Sequence, residues 1–165
     1  MKPGNITLVG AGLVGSLLAV FLARRGYSVT LYERRADLRK ANISAGRSIN
    51  LALANRGIVA LERAGLLDAL RPILLPMAGR MLHDEQGQTT FLPYGHRPEE
   101  VIYSVSRGGL NQRLLDLAEA EGVSIKFKQN VQDVDFQSKT LQLFDESSGA
   151  LRDQLFEFFA HGAAA

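Results

Sequence analysis

The start of the chain carries two apolar runs with a helical pattern between them. Residues 6–9 form a short apolar run, which is typical of a buried strand. Residues 16–25 predict a helix, and Gly26 directly after them suits its end. Residues 28–32 predict a second strand. A strand, a helix and a strand in this order predict a βαβ unit.

The rest of the chain predicts two further helices and a series of short strands. Residues 56–64 predict a helix with Asn55 as its N-cap, and residues 110–121 predict another that ends at Gly122. Apolar runs between turn residues predict strands at 80–82, 89–92, 101–106, 123–128, 131–136, 140–144 and 151–159. The predicted fold class is α/β, with a Rossmann-like βαβ core, a β-hairpin insertion and a small β-meander.

Glycines lie between the first strand and the first helix in the pattern G-x-G-x-x-G. Gly10 permits a tight turn, Gly12 leaves room for a pyrophosphate, and Gly15 lets the helix pack closely on the sheet. The free N–H groups and the positive dipole at the helix N-terminus favour phosphate. Glu33 follows the second strand, about 20 residues beyond the glycines, where an acid binds ribose hydroxyls. This order of elements predicts a dinucleotide site.

A second interpretation of the same stretch is a signal peptide or a membrane span. Residues 6–23 contain no charged side chain, and Lys2 precedes them. Three glycines within six residues do not suit a membrane span. The second strand also follows at the distance that the nucleotide fold requires, so the dinucleotide site is the favoured interpretation.

Composition narrows the protein class but identifies no chemistry. The chain has 165 residues, of which 46% are hydrophobic and 22% charged, as in soluble globular proteins. A net charge of +2 is too small to indicate nucleic-acid binding. The chain has no Cys, and its three His have no metal-ligand spacing, so we predict no disulfide and no metal site. We expect a cytoplasmic location.

A polar, basic segment follows the second strand. Most charges within residues 34–47 are expected to belong to a solvated loop. Arg34 and Arg35 directly follow Glu33, so they are placed to contact the adenine or its phosphates. An Arg here can favour a 2′-phosphate, but Glu33 is the better guide and indicates an unphosphorylated ribose.

Further segments carry a resemblance to a known family. After GAGLVGS, the chain contains GRSINLALANRG, PMAGRMLH, LPYG and YSVSRGGLNQRLL in this order. With these segments it resembles the kynurenine 3-monooxygenases, which are flavoprotein aromatic hydroxylases. The resemblance runs from about Asn5 to about Phe159, and the GRSINLAL and SVSR segments are its most specific parts.

The resemblance implies an activity and its cofactors. It implies FAD as the bound cofactor, NADPH as a transient co-substrate, and hydroxylation of L-kynurenine by O₂ to 3-hydroxykynurenine. Residues 1–165 would then form the N-terminal portion of an FAD-binding domain, and residues 72–106 would begin a substrate-binding insertion. No nucleic-acid partner and no membrane segment are implied. We name no catalytic side chain, because the cofactor carries the oxygen chemistry.

The resemblance also assigns roles to matching positions. In the cofactor site, the backbone near Val14 would meet the pyrophosphate and Val131 would pack near the adenine. Ala52 would line the flavin, and Arg107 would contact FAD. The full set of implied cofactor residues is Gly10, Gly12, Val14, Gly15, Tyr32, Glu33, Arg34, Arg35, Ala52, Arg107 and Val131.

Two positions match the substrate residues of the family. Arg80 would hold the amino-acid carboxylate of kynurenine, because its planar guanidinium can form a bidentate contact. Tyr94 has a ring and a hydroxyl that suit an aromatic substrate. Without the resemblance, Arg80 would be read as a surface charge on a hairpin and Tyr94 as a turn residue.

The chain departs from the family after the sequence LFEFF. The family has Gly-Ala-Asp-Gly at this point, and its Asp binds the flavin; here residues 160–165 read AHGAAA, without an acid. We therefore expect an N-terminal part of such an enzyme, incomplete at the C-terminus and inactive alone. Two alternatives stay open: an NAD(P)-dependent Rossmann oxidoreductase, and a nucleotide-binding module without activity.

Overall fold

The computed structural model describes residues 4–40 and 50–161. Predictions that concern residues 41–49 or 162–165, including the start of GRSINLAL, lie outside the described residues. The helices are α1 (Leu13–Arg24), α2 (Asn55–Arg63), α3 (Leu67–Leu70) and α4 (Arg107–Ala120), with a 3-10 turn at Arg71–Ile73. The strands are β1 (Asn5–Val9), β2 (Ser28–Glu33), β3 (Asn50–Leu53), β4 (Leu75–Met77), β5 (Gly79–His83), β6 (Thr89–Pro93), β7 (Ile102–Ser106), β8 (Ser124–Phe127), β9 (Gln129–Asp135), β10 (Thr140–Asp145), β11 (Leu151–Leu155) and β12 (Phe158–His161).

The chain divides into two compact units. Unit 1 comprises Met1–Gly46 and Asn111–Ala165, and unit 2 comprises Arg47–Leu110. The predicted βαβ core and the β-meander lie in unit 1, whereas the predicted insertion over residues 72–106 lies inside unit 2. Each unit is described separately below.

A parallel sheet forms the centre of unit 1. Among the described residues its strand order is β12-β1-β2-β8, and every pairing is parallel. Leu8 on β1 lies opposite Leu31 on β2, and both side chains are completely buried. Parallel strands covered on both faces need such apolar runs. The predicted βαβ unit is therefore confirmed.

Helix α1 presents small side chains to the interior of unit 1. Its buried residues are Gly15, Ser16, Ala19 and Val20. Small residues on this face allow the helix backbone to approach β1 and β2 closely.

In the described part of the chain, no helix has the length and apolar character needed to cross a membrane.

The predicted final strand over residues 151–159 is wrong as a single element. Strand β11 pairs antiparallel with β10 in the meander, whereas β12 pairs parallel with β1 in the central sheet. The two strands are separated by Phe156 and Glu157, and the Phe156 N–H donates to the Lys139 carbonyl at 2.9 Å. The apolar sequence continues through this break, so the periodicity alone carried no signal of it.

The meander packs on β2 through an apolar cluster. Tyr32, Leu141 and Leu143 are buried together, and Phe156 and Phe159 pack against them. The Phe156 and Phe159 ring centroids lie 5.5 Å apart, and Phe136 stands edge-on to both rings. Aromatic pairs in this geometry add stabilisation beyond the area that they bury. This cluster attaches the meander to the central sheet.

One charge in the basic segment after β2 is structural. The Arg39 side chain is only 16% exposed, and it contacts carboxylates of Asp37, Asp116 and Glu119 at 2.8, 3.0 and 2.7 Å. Hydrogen bonds to Asp37 and Glu119 raise the pKa of Arg39 well above its ordinary value, against the effect of burial. The prediction of a solvated loop is wrong for this residue, because α4 supplies two of its partners.

Unit 2 contains two small antiparallel sheets in its described residues. One has the order β3-β7-β4, and the other is the predicted hairpin of β5 and β6. Asn55 is the first residue of α2 and not its N-cap, which is Ala54. Helix α4 begins at Arg107, three residues before the predicted start at residue 110. Strand β4 lies in a segment for which the sequence predicted no strand.

The close approach of α1 to the loop before it predicts the effect of two glycine substitutions. A Cβ on Gly15 would overlap the carbonyl oxygen of Gly10, whereas a Cβ on Gly109 in α4 would make only an ordinary contact with Ser106. Gly15→Ala should lower the free energy of unfolding by about 1–3 kcal/mol. Gly109→Ala should leave it unchanged or raise it by about 0.4–1 kcal/mol. Urea titrations of the three proteins check this, and equal stabilities would contradict the packing argument.

Candidate nucleotide-binding site

The glycine loop joins β1 to α1 through a tight turn. Gly10 has φ 94°, a conformation that residues with a Cβ rarely adopt. Its N–H donates to the Tyr32 carbonyl at 2.8 Å, so the turn is joined to the end of β2. The absence of a side chain on Gly15 lets α1 begin directly over the Gly10 carbonyl. Two of the three predicted glycine roles therefore have a physical basis in the structure.

The N-terminus of α1 is open and uncapped by any side chain. Its N-cap residue is Gly12, and its first turn contains no acidic residue. A Cβ built on Gly12 would meet no atom of the described residues within 4 Å, and Val14 in the first turn is 61% exposed. The first N–H groups of a helix have no intrahelical partner. This end of α1 therefore fits an anion such as a pyrophosphate.

Glu33 lies beside the loop with its carboxylate buried. One oxygen accepts a hydrogen bond from the Ala11 N–H at 2.8 Å, and the other accepts from the Arg35 N–H at 2.9 Å and from its Nε at 2.8 Å. Burial by itself raises the pKa of Glu33, but the hydrogen bonds from Arg35 and Ala11 outweigh it and hold the pKa below its ordinary value. Glu33 is therefore an ionised acceptor at neutral pH.

The two arginines after Glu33 have different surroundings. Arg35 forms a salt bridge with Glu33 through its Nε, and about half of its side chain stays exposed. Arg34 is exposed. The guanidinium of Arg35 lies beside the acid that the ribose would contact, whereas the side chain of Arg34 is open to solvent. Their contacts with an adenosine stay predictions.

Asn111 belongs to this site although the sequence analysis did not single it out. Its Nδ2 donates to the Ala11 carbonyl at 3.0 Å across 100 residues of sequence, and the residue is 6% exposed. The available signal was a polar residue on the same helix face as Leu115 and Ala118, which are both completely buried. That signal indicates a partner but does not identify it.

Tyr32 and Val131, both predicted to lie near the adenosine, belong to the core of unit 1. The Tyr32 ring is buried in the cluster with Leu141 and Leu143, and Val131 packs against the same cluster. Burial raises the pKa of Tyr32, and Arg152 opposes this effect weakly. Any contact of Tyr32 with a nucleotide would therefore come from its backbone and not from its hydroxyl.

The predicted flavin contacts in unit 2 lie along one pair of strands. Ala52 on β3 lies opposite Ser104 on β7 and is exposed. Arg107 follows the last residue of β7 and is also exposed. Both positions are therefore accessible to a ligand, Ala52 on the β3–β7 ladder and Arg107 at the start of α4.

The predicted substrate residues share one face of the β5–β6 hairpin. Arg80 lies opposite Leu92, and the Tyr94 N–H donates to the Ala78 carbonyl at 2.9 Å. In this register Arg80 and Tyr94 are diagonal neighbours on the same face, within reach of one ligand. Tyr94 also lines a cavity of about 550 Å³ in unit 2 together with Ile102 and Tyr103, whereas Arg80 does not line it.

Comparison with known proteins gives relatives in sequence and in structure. A kynurenine 3-monooxygenase of Myxococcus xanthus is 49% identical over 93% of this chain and 33% of its own length. That of Christiangramia forsetii is 42% identical over 98% of this chain and 36% of its own length. The chain thus spans about a third of the length of these curated relatives.

Solved structures agree in fold. The FAD-dependent myxobacterial chondrochloren halogenase CndH has a TM-score of 0.74 at 23% identity, covering 96% of this chain and 37% of its own. The p-nitrophenol 4-monooxygenase PnpA from Pseudomonas putida also has a TM-score of 0.74, at 18% identity, covering 98% of this chain and 41% of its own. At such identities the likeness establishes the fold alone.

The family assignment agrees with the geometry of the loop. The family model described as FAD binding domain matches residues 5–153, which include the glycine loop, Glu33 and Asn111. The uncapped α1 N-terminus is of a kind that suits a pyrophosphate, and the ionised Glu33 is of a kind that suits ribose hydroxyls. With this match over most of its length, the chain belongs to the FAD-binding domain family.

Proposed function

We propose that this chain is the FAD-binding portion of an NADPH-dependent monooxygenase that hydroxylates L-kynurenine to 3-hydroxykynurenine. The observation that carries the proposal is the similarity to kynurenine 3-monooxygenases, at 42–49% identity over about nine-tenths of the chain. NADPH, kynurenine and a cytoplasmic location belong to the proposal and come from the resemblance alone.

The side chains of unit 1 would bind and orient the ADP half of FAD. The N–H groups at the start of α1 would donate to the pyrophosphate, and the space in front of Gly12 would let it approach the backbone. Glu33 would give up part of its contact with Arg35 and accept hydrogen bonds from the ribose hydroxyls instead. An ionised carboxylate is a strong acceptor of such bonds. FAD, when bound, supplies the oxygen-transfer chemistry.

In unit 2, Arg80 and Tyr94 are proposed to bind the amino-acid end of kynurenine. Arg80 is exposed and forms no salt bridge with another described residue, so its guanidinium is available for a carboxylate. The exposed Tyr94 lies on the same hairpin face and would contribute its ring and hydroxyl. Ala52 and Arg107 are proposed as contacts to the flavin end of the cofactor.

A second candidate function is a nucleotide-binding module without activity of its own. The observation that favours it is that the chain spans about a third of its relatives. An NAD(P)-dependent oxidoreductase would use the same βαβ unit, but it would have no role for Arg80 and Tyr94. Copurification of yellow flavin with the intact protein would exclude the oxidoreductase alternative.

The Glu33 carboxylate should contribute directly to cofactor affinity. In the intact protein, Glu33→Ala should weaken FAD binding by about 1.5–3 kcal/mol, the scale of a hydrogen bond to a charged group. Glu146 is a matched control, because its exposed carboxylate accepts from Asn130 away from the loop. Glu146→Ala should leave FAD affinity unchanged. Titration calorimetry measures both affinities. An unchanged FAD affinity of the Glu33 variant would contradict the proposed contact between Glu33 and the ribose.

Arg80 should serve the substrate and not the cofactor. In the intact protein, Arg80→Met should weaken kynurenine binding by about 2–5 kcal/mol, because a substrate carboxylate in a desolvated site would lose its partner. FAD content should stay normal. Arg63→Met, which removes an exposed Arg from α2, is the control. It should change neither the affinity for kynurenine nor the FAD content. A variant that loses flavin but binds substrate normally would show that Arg80 has another role.

Residues 1–165 on their own should not hydroxylate kynurenine and should hold FAD weakly. The groups of unit 1 are proposed to bind the ADP half alone, and the relatives are about three times as long as this chain. The measurement is flavin retention on gel filtration after adding FAD, followed by an assay for NADPH-dependent formation of 3-hydroxykynurenine. Stoichiometric FAD together with turnover would show that these residues suffice and that the module alternative is wrong.

A further inference from the structure

We propose that Asn111 is a positioning residue that orients the glycine loop for the pyrophosphate. Nothing in the G-x-G-x-x-G pattern points to this residue, which lies in α4. The proposal rests on FAD binding as the function of the loop. It assigns to Asn111 the task of holding one peptide group, so that the N–H groups after it face the ligand.

Ala11 is held from both sides. Its N–H donates to Glu33 Oε2 at 2.8 Å, and its carbonyl accepts from Asn111 Nδ2 at 3.0 Å. The first bond orients the peptide group before Ala11 and the second orients the peptide group after it. That second group carries the N–H of Gly12, the N-cap of α1. The direction of the Gly12 N–H therefore depends on the hydrogen bond from Asn111.

The loop needs this restraint because, among the described residues, no neighbouring atom lies close to the position of a Cβ on Gly12. A Cβ on Gly12 would meet no described atom within 4 Å, so the neighbouring side chains do not prevent the Ala11–Gly12 peptide from turning. A glycine also resists such a turn less than other residues do. A fixed donor is worth more to a ligand than a mobile one, because less ordering is required on binding.

Helix α4 is well anchored as a support for Asn111. The neighbouring Gln112 donates to the Leu38 carbonyl at 3.2 Å, and Asp116 and Glu119 bind Arg39. On the inner side, Leu114 and Leu115 are almost completely buried. The helix is thus tied to the segment after β2 on the same side as the loop. A short side chain from so rigid a position can hold the Ala11 carbonyl without much entropy cost.

The amide of Asn111 must present its NH₂ group to Ala11, because two carbonyl oxygens would repel each other. Its Oδ1 is buried without a hydrogen-bond partner among the described residues. An Asp at this position would have the same shape but, when ionised, could not donate. When protonated, it could donate to the Ala11 carbonyl and restore the contact. Burial would raise the pKa of that introduced carboxyl.

Other charged groups near this contact do not produce the same pH dependence. Glu33 approaches Ala11 from β2, and its lowered pKa keeps it ionised at moderately acidic pH in wild type and variants. Arg35 stays charged. On α4, Arg113 and Asp116 are exposed. A change in the ratio of variant to wild-type affinity with pH would therefore report the introduced carboxyl.

The experiment compares three substitutions of Asn111 and one control substitution in the intact protein. FAD dissociation constants are measured by fluorescence titration between about pH 5 and pH 8, and each is divided by the wild-type value at the same pH. At pH 8, Asn111→Asp should weaken FAD binding by about tenfold or more, and the ratio should fall toward one as the pH is lowered. Asn111→Leu, which cannot donate at any pH, should show a similar loss throughout.

Gln154→Glu is the matched control. It introduces the same charge on β11, where the amide also donates to a backbone carbonyl, that of Leu155, but outside the glycine loop and α4. It should keep FAD affinity within about twofold, since loss of one exposed hydrogen bond is small. A smaller variant, Asn111→Ser, is included in case the others do not fold, and it should weaken FAD binding at all pH values while remaining folded.

Two results would overturn the positioning role. One is an FAD affinity of Asn111→Asp at pH 8 that equals the wild-type affinity. If the Asp and Leu variants do not fold, a wild-type FAD affinity of Asn111→Ser has the same meaning. The other is a loss of FAD affinity in Asn111→Asp that stays the same at every pH, although urea unfolding shows that the variant is folded. If wild-type protein itself does not bind FAD, the proposed function fails, and that outcome is distinct from a failure of the role of Asn111.

Discussion

The buried carboxylate of Glu33 is the contact on which the nucleotide site depends. A carboxylate in this position would be costly without partners, and it has them in the Ala11 N–H and in Arg35. These bonds join the end of β2 to the glycine loop after β1. The end of β2 and the glycine loop are therefore ordered together by contacts within the protein.

Helix α4 stabilises the same region from another side. Asn111 holds the loop carbonyl, Gln112 holds the Leu38 carbonyl, and Asp116 and Glu119 bind Arg39. The segment after β2 is thus kept on α4 by charged hydrogen bonds that are partly shielded from water. Such shielded networks contribute more than isolated surface ion pairs. Groups far apart in sequence consequently set the geometry of one short loop.

The fold by itself does not assign a reaction to this protein. The same arrangement occurs in a halogenase and in a p-nitrophenol monooxygenase at about 20% identity. Function resides in side chains placed on that fold. For this chain the positions that we propose for substrate binding are Arg80 and Tyr94 on the β5–β6 hairpin. The glycine loop is common to many nucleotide-binding proteins and does not distinguish among their substrates.

The sequence alone determined the βαβ unit and the glycine loop, because these depend on contacts between residues close in sequence. Steric limits at Gly10 and the apolar runs of β1 and β2 act locally. Only the tertiary structure decided where β12 pairs, that Arg39 is shielded, and that Asn111 reaches Ala11. Each of these depends on a partner many residues away. The local sequence around an apolar run, a charged residue or an amide is the same whichever distant residue it contacts. The spacing of residues along the chain therefore does not identify that partner.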